Sequence, residues 1–178
     1  MRTNNRRGVW LLPAIALAEF ALDQASKYSI STSLAFNESW NPIPELYPYI
    51  RLTHWRNSGS AFGMFPELGG AFLVVATAVT VGIIYYARSL NSDSPLLLRV
   101  SLGLMLGGAL GNLIDRVRFG YVVDFVNLGW WPVFNFADSA IVIGVLLLAW
   151  HLSRAQPIVQ DVSATAASEP GLQEMSGN

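Results

Sequence analysis

Four apolar stretches, at about 9–30, 71–88, 96–114 and 134–152, constrain this 178-residue chain more than any other feature. Crossing roughly 30 Å of hydrocarbon takes about 20 consecutive apolar residues in a helix, and each stretch reaches or approaches that length. Inside a bilayer every backbone N–H and C=O must find its partner within the protein. The chain is therefore expected to be a mainly α membrane protein with four transmembrane helices. Composition agrees: 52% of residues are apolar and 13% are charged, against about 25% charged in an ordinary soluble domain. A formal net charge of −1, with no basic patch interleaved with stacking aromatics, sets nucleic acid aside as a partner. Without cysteine the chain has no disulfide, thiolate metal ligand, thiol nucleophile or Cys-linked lipid.

The first stretch follows Arg2, Arg6 and Arg7 and admits two readings. Ala16-Leu17-Ala18 fits the small-residue pattern of a signal-peptide cleavage site. Helical character continues past Leu22 to about Ile30, however, so a retained first span is expected. That span carries Glu19, Asp23 and Lys27 at i, i+4 and i+8, which stacks them on one face. A salt-bridged stripe with Lys27 reaching the interface would account for them, as would a functional cluster. Residues 31–69 contain Pro42, Pro44, Pro48 and Pro66 and are too polar to span. They are expected to form a small extracytoplasmic β-sheet between helices 1 and 2. Its strands are expected at 50–55 and 60–65, with a tight turn at Asn57-Ser58-Gly59. Trp40, Tyr47, Tyr49 and Trp55 suit the headgroup level, where one ring edge stays wet.

The third stretch places Gly103, Gly107 and Gly111 along one face, a spacing that lets helices approach closely. It then delivers Asn112, Asp115 and Arg116, and an Asp115–Arg116 ion pair would close the helix. Residues 115–132 read as a polar, aromatic loop in which Asp124 lies between Val123 and Phe125, an apolar setting that raises a carboxyl pKa. Asn135-Phe136-Ala137-Asp138 reads as a helix start, with Asn135 as N-cap and Asp138 three residues on. Residues 1–152 form one membrane-embedded domain in this reading, and 153–178 a disordered tail rich in Ser, Ala, Gln and Glu.

Four spans put both termini on one side. Arg2, Arg6, Arg7, Arg88, Arg99 and Arg154 lie there, against Lys27, Arg51, Arg56, Arg116 and Arg118 on the other face. Together with the short link between the second and third spans, this bias places both termini in the cytoplasm. Asp115, Asp124 and Asp138 then share the outer face, with Asp23 and Lys27 at the same level.

Two carboxylates in a poorly solvated site cannot both ionise easily, so one keeps a proton while the other activates water. That chemistry needs no metal or cofactor. The two histidines, His54 and His151, fall on opposite faces, and no serine elbow is evident. The residues alone leave both Asp115 and Asp124 as possible partners for Asp138. A small proton- or cation-handling transporter could use the same acids, although four spans without a repeat speak against it. A scaffold glued by Asp and Asn is the other alternative.

Five segments in order along 9–152 resemble the bacterial lipoprotein signal peptidases, the signal peptidase II family. They are Asp23-Gln24-Ala25-Ser26-Lys27, Asn57-Ser58-Gly59-Ser60-Ala61-Phe62, residues 107–116, Gly120-Tyr121-Val122-Val123-Asp124-Phe125, and Phe134-Asn135-Phe136-Ala137-Asp138-Ser139. The resemblance implies an inner-membrane aspartic endopeptidase that cuts diacylglyceryl-modified prolipoproteins before the lipidated cysteine. It implies Asp124 and Asp138 as the catalytic pair. Asp23, Lys27, Asn57, Gly59, Asn112, Asp115, Arg116 and Asn135 would support the pair or contact substrate. Membrane lipids and globomycin-type inhibitors are the other implied partners. Ser60 stands where alanine is more usual, and Glu19 is an extra carboxylate at membrane depth.

Overall fold

The computed structural model describes residues 7–47, 49–59, 69–91 and 93–154. The strand expected at 60–65 and residues 155–178 of the expected tail lie outside the described residues. In chain order the elements are α1 (Arg7–Ser33), β1 (Ser39–Trp40), a short 3-10 helix (Pro44–Leu46), β2 (Arg51–Asn57), α2 (Gly69–Arg88), α3 (Leu96–Phe119), β3 (Val122–Asn127) and α4 (Phe136–Arg154). Gly70–Arg88, Leu96–Phe119 and Phe136–Arg154 are long and apolar enough to cross a membrane. At 27 residues α1 is long enough too, but Glu19, Asp23, Gln24 and Lys27 dilute its apolar content. Its polar residues face inward: Asp23 is 0% exposed and Lys27 3%, while Leu17 and Leu22 are exposed. Val74, Val79, Val142 and Leu146 are likewise exposed on α2 and α4. A belt of that kind suits hydrocarbon and would be costly in water.

The third helix is the hub, packing against α1, α2 and α4. Its glycines explain why. A Cβ added at Gly107 would lie 2.7 Å from the Ala16 carbonyl oxygen and 2.7 Å from Glu19 Cβ, and one at Gly103 would meet Ile15 and the Leu12 carbonyl. Gly111 faces Asp23, so the expected stripe at 103, 107 and 111 is the seam on which α1 lies. On the other side, a Cβ at Gly108 would be 2.5 Å from the Ala137 carbonyl, and Gly144 returns the favour against Met105 and Ser101. Backbone meets backbone at both seams, where dispersion and not a hydrophobic drive holds membrane helices together. Leu12, Ala16, Ile83, Leu102, Leu106 and Ala109 fill the space between them. At the far end buried Arg99 donates to the carbonyls of Ser94, at 3.1 Å, and Asn91, tying down the α2–α3 link.

The sheet differs from expectation. It is a three-stranded antiparallel sheet in the order β1-β2-β3, and its third strand comes from between α3 and α4, not from the segment joining helices 1 and 2. Residues 122–127 carry no period-2 signal because both faces are covered. Val122, Val123, Asp124 and Phe125 are each 4% exposed or less, and a strand buried on both sides reads as a plain apolar run. Pairing runs Arg51↔Asn127 and Leu52↔Val126, then slips by one residue before Trp55↔Asp124, Arg56↔Val123 and Asn57↔Val122. The bulge buries Thr53 and His54 together and re-aims the strand beyond it. Nor does α3 stop at 114. It continues to Phe119 and ends on Gly120, whose φ of 78° closes the last turn with an N–H bond to the Arg116 carbonyl. Asp115 and Arg116 are thus helical residues, and α4 continues through Arg154, two residues past its expected end.

Gly107→Leu should cost about 1–3 kcal/mol by forcing α1 and α3 apart, whereas Gly82→Ala, with nothing within 4 Å of the added methyl, should be neutral or slightly stabilising. Thermal unfolding of the two variants in detergent measures the contrast; equal midpoints would refute the close-packed seam.

Candidate active site

Asp124 enters the site from β3, fully buried. Its two oxygens are each met by an amide: Asn57 Nδ2 donates to Oδ2 at 2.9 Å and Asn135 Nδ2 to Oδ1 at 2.7 Å. Asn57 stands at the end of β2 across the sheet. Its Oδ1 accepts the Gly59 N–H at 2.8 Å, a turn made possible by φ +89° at Gly59. The turn expected at Asn57-Ser58-Gly59 is therefore present, and it also aims the Asn57 NH2 at Asp124. Turn chemistry and site chemistry use opposite ends of one amide.

Asp138 arrives on the first turn of α4. The Asp138 N–H donates to Asn135 Oδ1 at 2.9 Å, and Asp138 Oδ2 accepts the Asn135 N–H at 3.2 Å. This reciprocal pair is a capping box, as the sequence pattern suggests. Asn135 thereby touches both acids, with its backbone on Asp138 and its side chain on Asp124. Asp138 Oδ1 accepts Asn112 Nδ2 at 2.8 Å. Asn112 Oδ1 in turn accepts Lys27 Nζ at 2.9 Å and Asn135 Nδ2 at 3.1 Å. The orientation of all three amides is settled by these partners, since each oxygen faces a donor and each NH2 a carboxylate.

Beneath this layer lies an ion cluster. Lys27 Nζ sits 2.7 Å from Asp23 Oδ2 and 3.0 Å from Asp115 Oδ2. Asp23 Oδ1 accepts the Ala137 N–H at 3.1 Å, placing a carboxylate at the positive end of α4. Asp115 also accepts Gln24 Nε2 at 3.0 Å and the Val123 N–H at 3.3 Å. The expected Asp115–Arg116 pair is thus replaced by Asp115–Lys27. Neighbouring helical residues point apart, and Arg116 instead donates to the Asn112 carbonyl at 3.3 Å. Gln24 joins the cluster although it lies one position off the 19/23/27 stripe, so helical spacing alone does not mark it. Glu19 packs its stem on Gly107 while its buried Oε1 has no hydrogen-bond partner among the described residues.

Burial pushes the Asp124 carboxyl up to about 7, and the nearby Asp138 charge adds to the rise; Asn57, Asn135 and Lys27 pull it partly back. A carboxyl titrating near neutrality beside a second carboxyl can give and receive protons at physiological pH. A groove of about 700 Å³ runs along the sheet beside the network, with Asn57, Gly59, Phe72, Arg116, Trp131 and Arg51 on its walls. Of the residues expected at the site, Asp23, Lys27, Asn57, Asn112, Asp115, Asp124, Asn135 and Asp138 form one hydrogen-bonded network. Gly59 shapes its edge, and Arg116 lines the groove.

Removing the Lys27 ammonium leaves Asp23 and Asp115 facing each other without a cation. Lys27→Met should therefore destabilise the fold by about 3–5 kcal/mol, read as a lowered unfolding midpoint in detergent. An unchanged midpoint would show that the cluster bears no weight.

Over residues 15–154 the sequence matches the family described as signal peptidase (SPase) II. A lipoprotein signal peptidase of Moorella thermoacetica is 51% identical over 138 residues, covering 78% of this chain and 89% of the relative. Its counterpart in Halothermothrix orenii is 40% identical over 145 residues, covering 81% and 96%. Among solved structures, a bacterial membrane enzyme determined by the in meso method at 1.9 Å resolution superposes with a TM-score of 0.71 at 31% identity, covering 82% of this chain and 94% of that one. A match that takes in the sheet, the helices from residue 15 onward and every carboxylate of the network shows that the chain belongs to the signal peptidase II family.

Proposed function

We propose that Asp124 and Asp138 are the reacting pair with which this peptidase removes signal peptides from diacylglyceryl-modified prolipoproteins, cutting before the lipidated cysteine. The observation that carries the assignment is Asn135, which donates to Asp138 from its backbone and to Asp124 from its side chain. Asp115, the competing partner in the sequence, is instead taken up by Lys27, Gln24 and the Val123 N–H.

In the proposed reaction Asp124, titrating near 7, holds the shared proton. Half-buried Asp138 takes a proton from a water as the water oxygen bonds to the scissile carbonyl carbon, and Asp124 gives its proton to the carbonyl oxygen. When the tetrahedral carbon collapses, its C–N bond breaks and the amine nitrogen of the cysteine takes the proton held by Asp138. The remaining hydroxyl proton returns to Asp124 and restores the pair. No step calls on a metal or cofactor. Asn57, Asn112 and Asn135 hold the two carboxyls in place, Asp23, Lys27 and Asp115 brace the helices that carry them, and Gly59 and Arg116 border the substrate groove.

The same reading makes α1 a fourth span, its buried stripe turned toward α3, and treats residues 1–152 as one membrane-embedded domain. Both termini lie in the cytoplasm and the site near the extracytoplasmic face of the bacterial inner membrane. Prolipoproteins, bilayer lipids and globomycin-type cyclic peptides are its partners.

Asp124→Asn and Asp138→Asn should insert and unfold like the parent yet cleave a diacylglyceryl-modified prolipoprotein at least about 10²-fold more slowly; undiminished cleavage by either would sink the pairing. Because the Asp124 carboxyl is raised, it is protonated below about 7 and ionised above. Plots of kcat/KM against pH should accordingly decline on the alkaline side of about 7, and a profile flat from pH 6 to 9 would contradict the proton assignment.

A further inference from the structure

The groove that leaves the site is lined by guanidinium groups and, among the described residues, by no carboxylate. Arg51, Arg56 and Arg116 all border it. Arg51 and Arg116 each have a buried Nε with no hydrogen-bond partner among the described residues. Arg116 Nη1 is occupied by the Asn112 carbonyl, and its charge faces Asp138, Asp124 and Asp115. Arg56 is held between the rings of Phe36 and Tyr121, 4.9 and 5.0 Å from their centroids. Arg51 has neither arrangement among the described residues. It is half-buried at the start of β2, opposite Asn127, with the Ser39–Thr53 hydroxyl pair nearby on the same wall. A buried N–H left unpaired and three like charges along one trough are both unfavourable. A carboxylate relieves both, because the guanidinium fork donates to two carboxylate oxygens at once.

Polarity decides which part of the substrate enters. The apolar core of a signal peptide has no reason to leave hydrocarbon for a trough that carries three guanidinium groups among the rings of Trp55, Phe72 and Trp131, whereas the segment following the cut emerges into water. The register then gives a distance. Asp124 pairs with Trp55 and Arg51 with Asn127, three residues on along β3, which sets the separation at about 10 Å at roughly 3.3 Å per residue because the bulge in β2 takes up one residue. An extended peptide running beside the strand covers that distance in about three residues.

We infer that Arg51 is a specificity residue that binds an acidic side chain about three to five residues after the scissile bond. The inference rests on the cleavage reaction proposed above and adds to it a preference for substrates with an acidic N-terminal segment in the mature protein. Arg51 reads charge at a distance from the reacting atoms, so its contribution falls on substrate binding.

Synthetic diacylglyceryl-cysteine prolipopeptides carrying Asp, Asn or Lys at the third to fifth residues after the cut test this directly, alongside a series changed only near the tenth. For the full-length enzyme in detergent, kcat/KM should fall by about tenfold from Asp to Lys, mainly through KM, in line with one charge-assisted contact. The change near the tenth residue should have no such effect. Arg51→Gln should shrink the Asp-to-Lys ratio to about twofold or less, and Arg51→Lys should restore part of it, since the charge returns without the fork. Raising ionic strength should narrow the wild-type ratio. Equal cleavage of all three peptides by the wild type overturns the inference, as does an undiminished ratio in a folded Arg51→Gln enzyme. If Arg51→Gln does not fold, the wild-type series decides alone. Failure of the wild type to cleave any lipidated peptide would instead refute the proposed reaction.

Discussion

One ammonium group holds the polar interior of this protein in register. Lys27 Nζ meets Asp23, Asp115 and Asn112 within 2.7 to 3.0 Å, at 3% exposure. Bringing such charges out of water costs several kcal/mol per ion, and only close, fully hydrogen-bonded geometry offsets it. That requirement is what makes the cluster a positional device. Asp23 belongs to α1, Asp115 and Asn112 to α3, and Asp23 also accepts an N–H from the first turn of α4. Sliding any of the three helices by one residue would strand a charge. The glycine seams let the helices come close, but small-residue surfaces can slide, and the buried ions select one alignment.

From that anchor the site is built through asparagines. Lys27 fixes the Asn112 oxygen, which directs the Asn112 NH2 to Asp138. Asn135 caps α4 and spans the two acids, and Asn57 closes a turn while approaching Asp124 from the sheet. Each amide therefore has a structural partner on one end and a carboxylate on the other. An amide serves this purpose because it presents a donor and an acceptor at once, so one side chain can hold a carboxyl while a backbone N–H or the ammonium fixes its other end.

Much of this was legible because local chemistry was decisive. The spacing of Gly103, Gly107 and Gly111 described the α1 seam, and Asn135 with Asp138 described the cap, because both patterns act within one or two helical turns. What was illegible depended on partners far along the chain. β3 carries no alternation because Val122, Val123, Asp124 and Phe125 are all buried, so nothing in the pattern separates it from a plain apolar run. Asp115 sat beside Arg116 in sequence, yet a helix points the two apart and gives Asp115 to Lys27, 88 positions earlier. Apolarity ended near 114, but the helix continued, since the polar residues that follow face protein. The resemblance, and no spacing rule, favours Asp124 over Asp115, and the tertiary contacts that support the proposed pairing, Asp115 to Lys27 and Asp124 to Asn135, join residues far apart in the chain.

The pairing of β2 with β3 also bears on when the protein becomes able to cut anything. Asn57 and Asp124 are 67 positions apart, and Asp138 is presented by the start of α4. The constellation is incomplete until the last helix has left the ribosome and docked against α3. With Asp124 and Asp138 as the proposed pair, a membrane protease made in this order carries no working site during its own insertion, when unfolded segments of itself and its neighbours are most exposed. Latency during biosynthesis then follows from topology alone, without a propeptide or inhibitor.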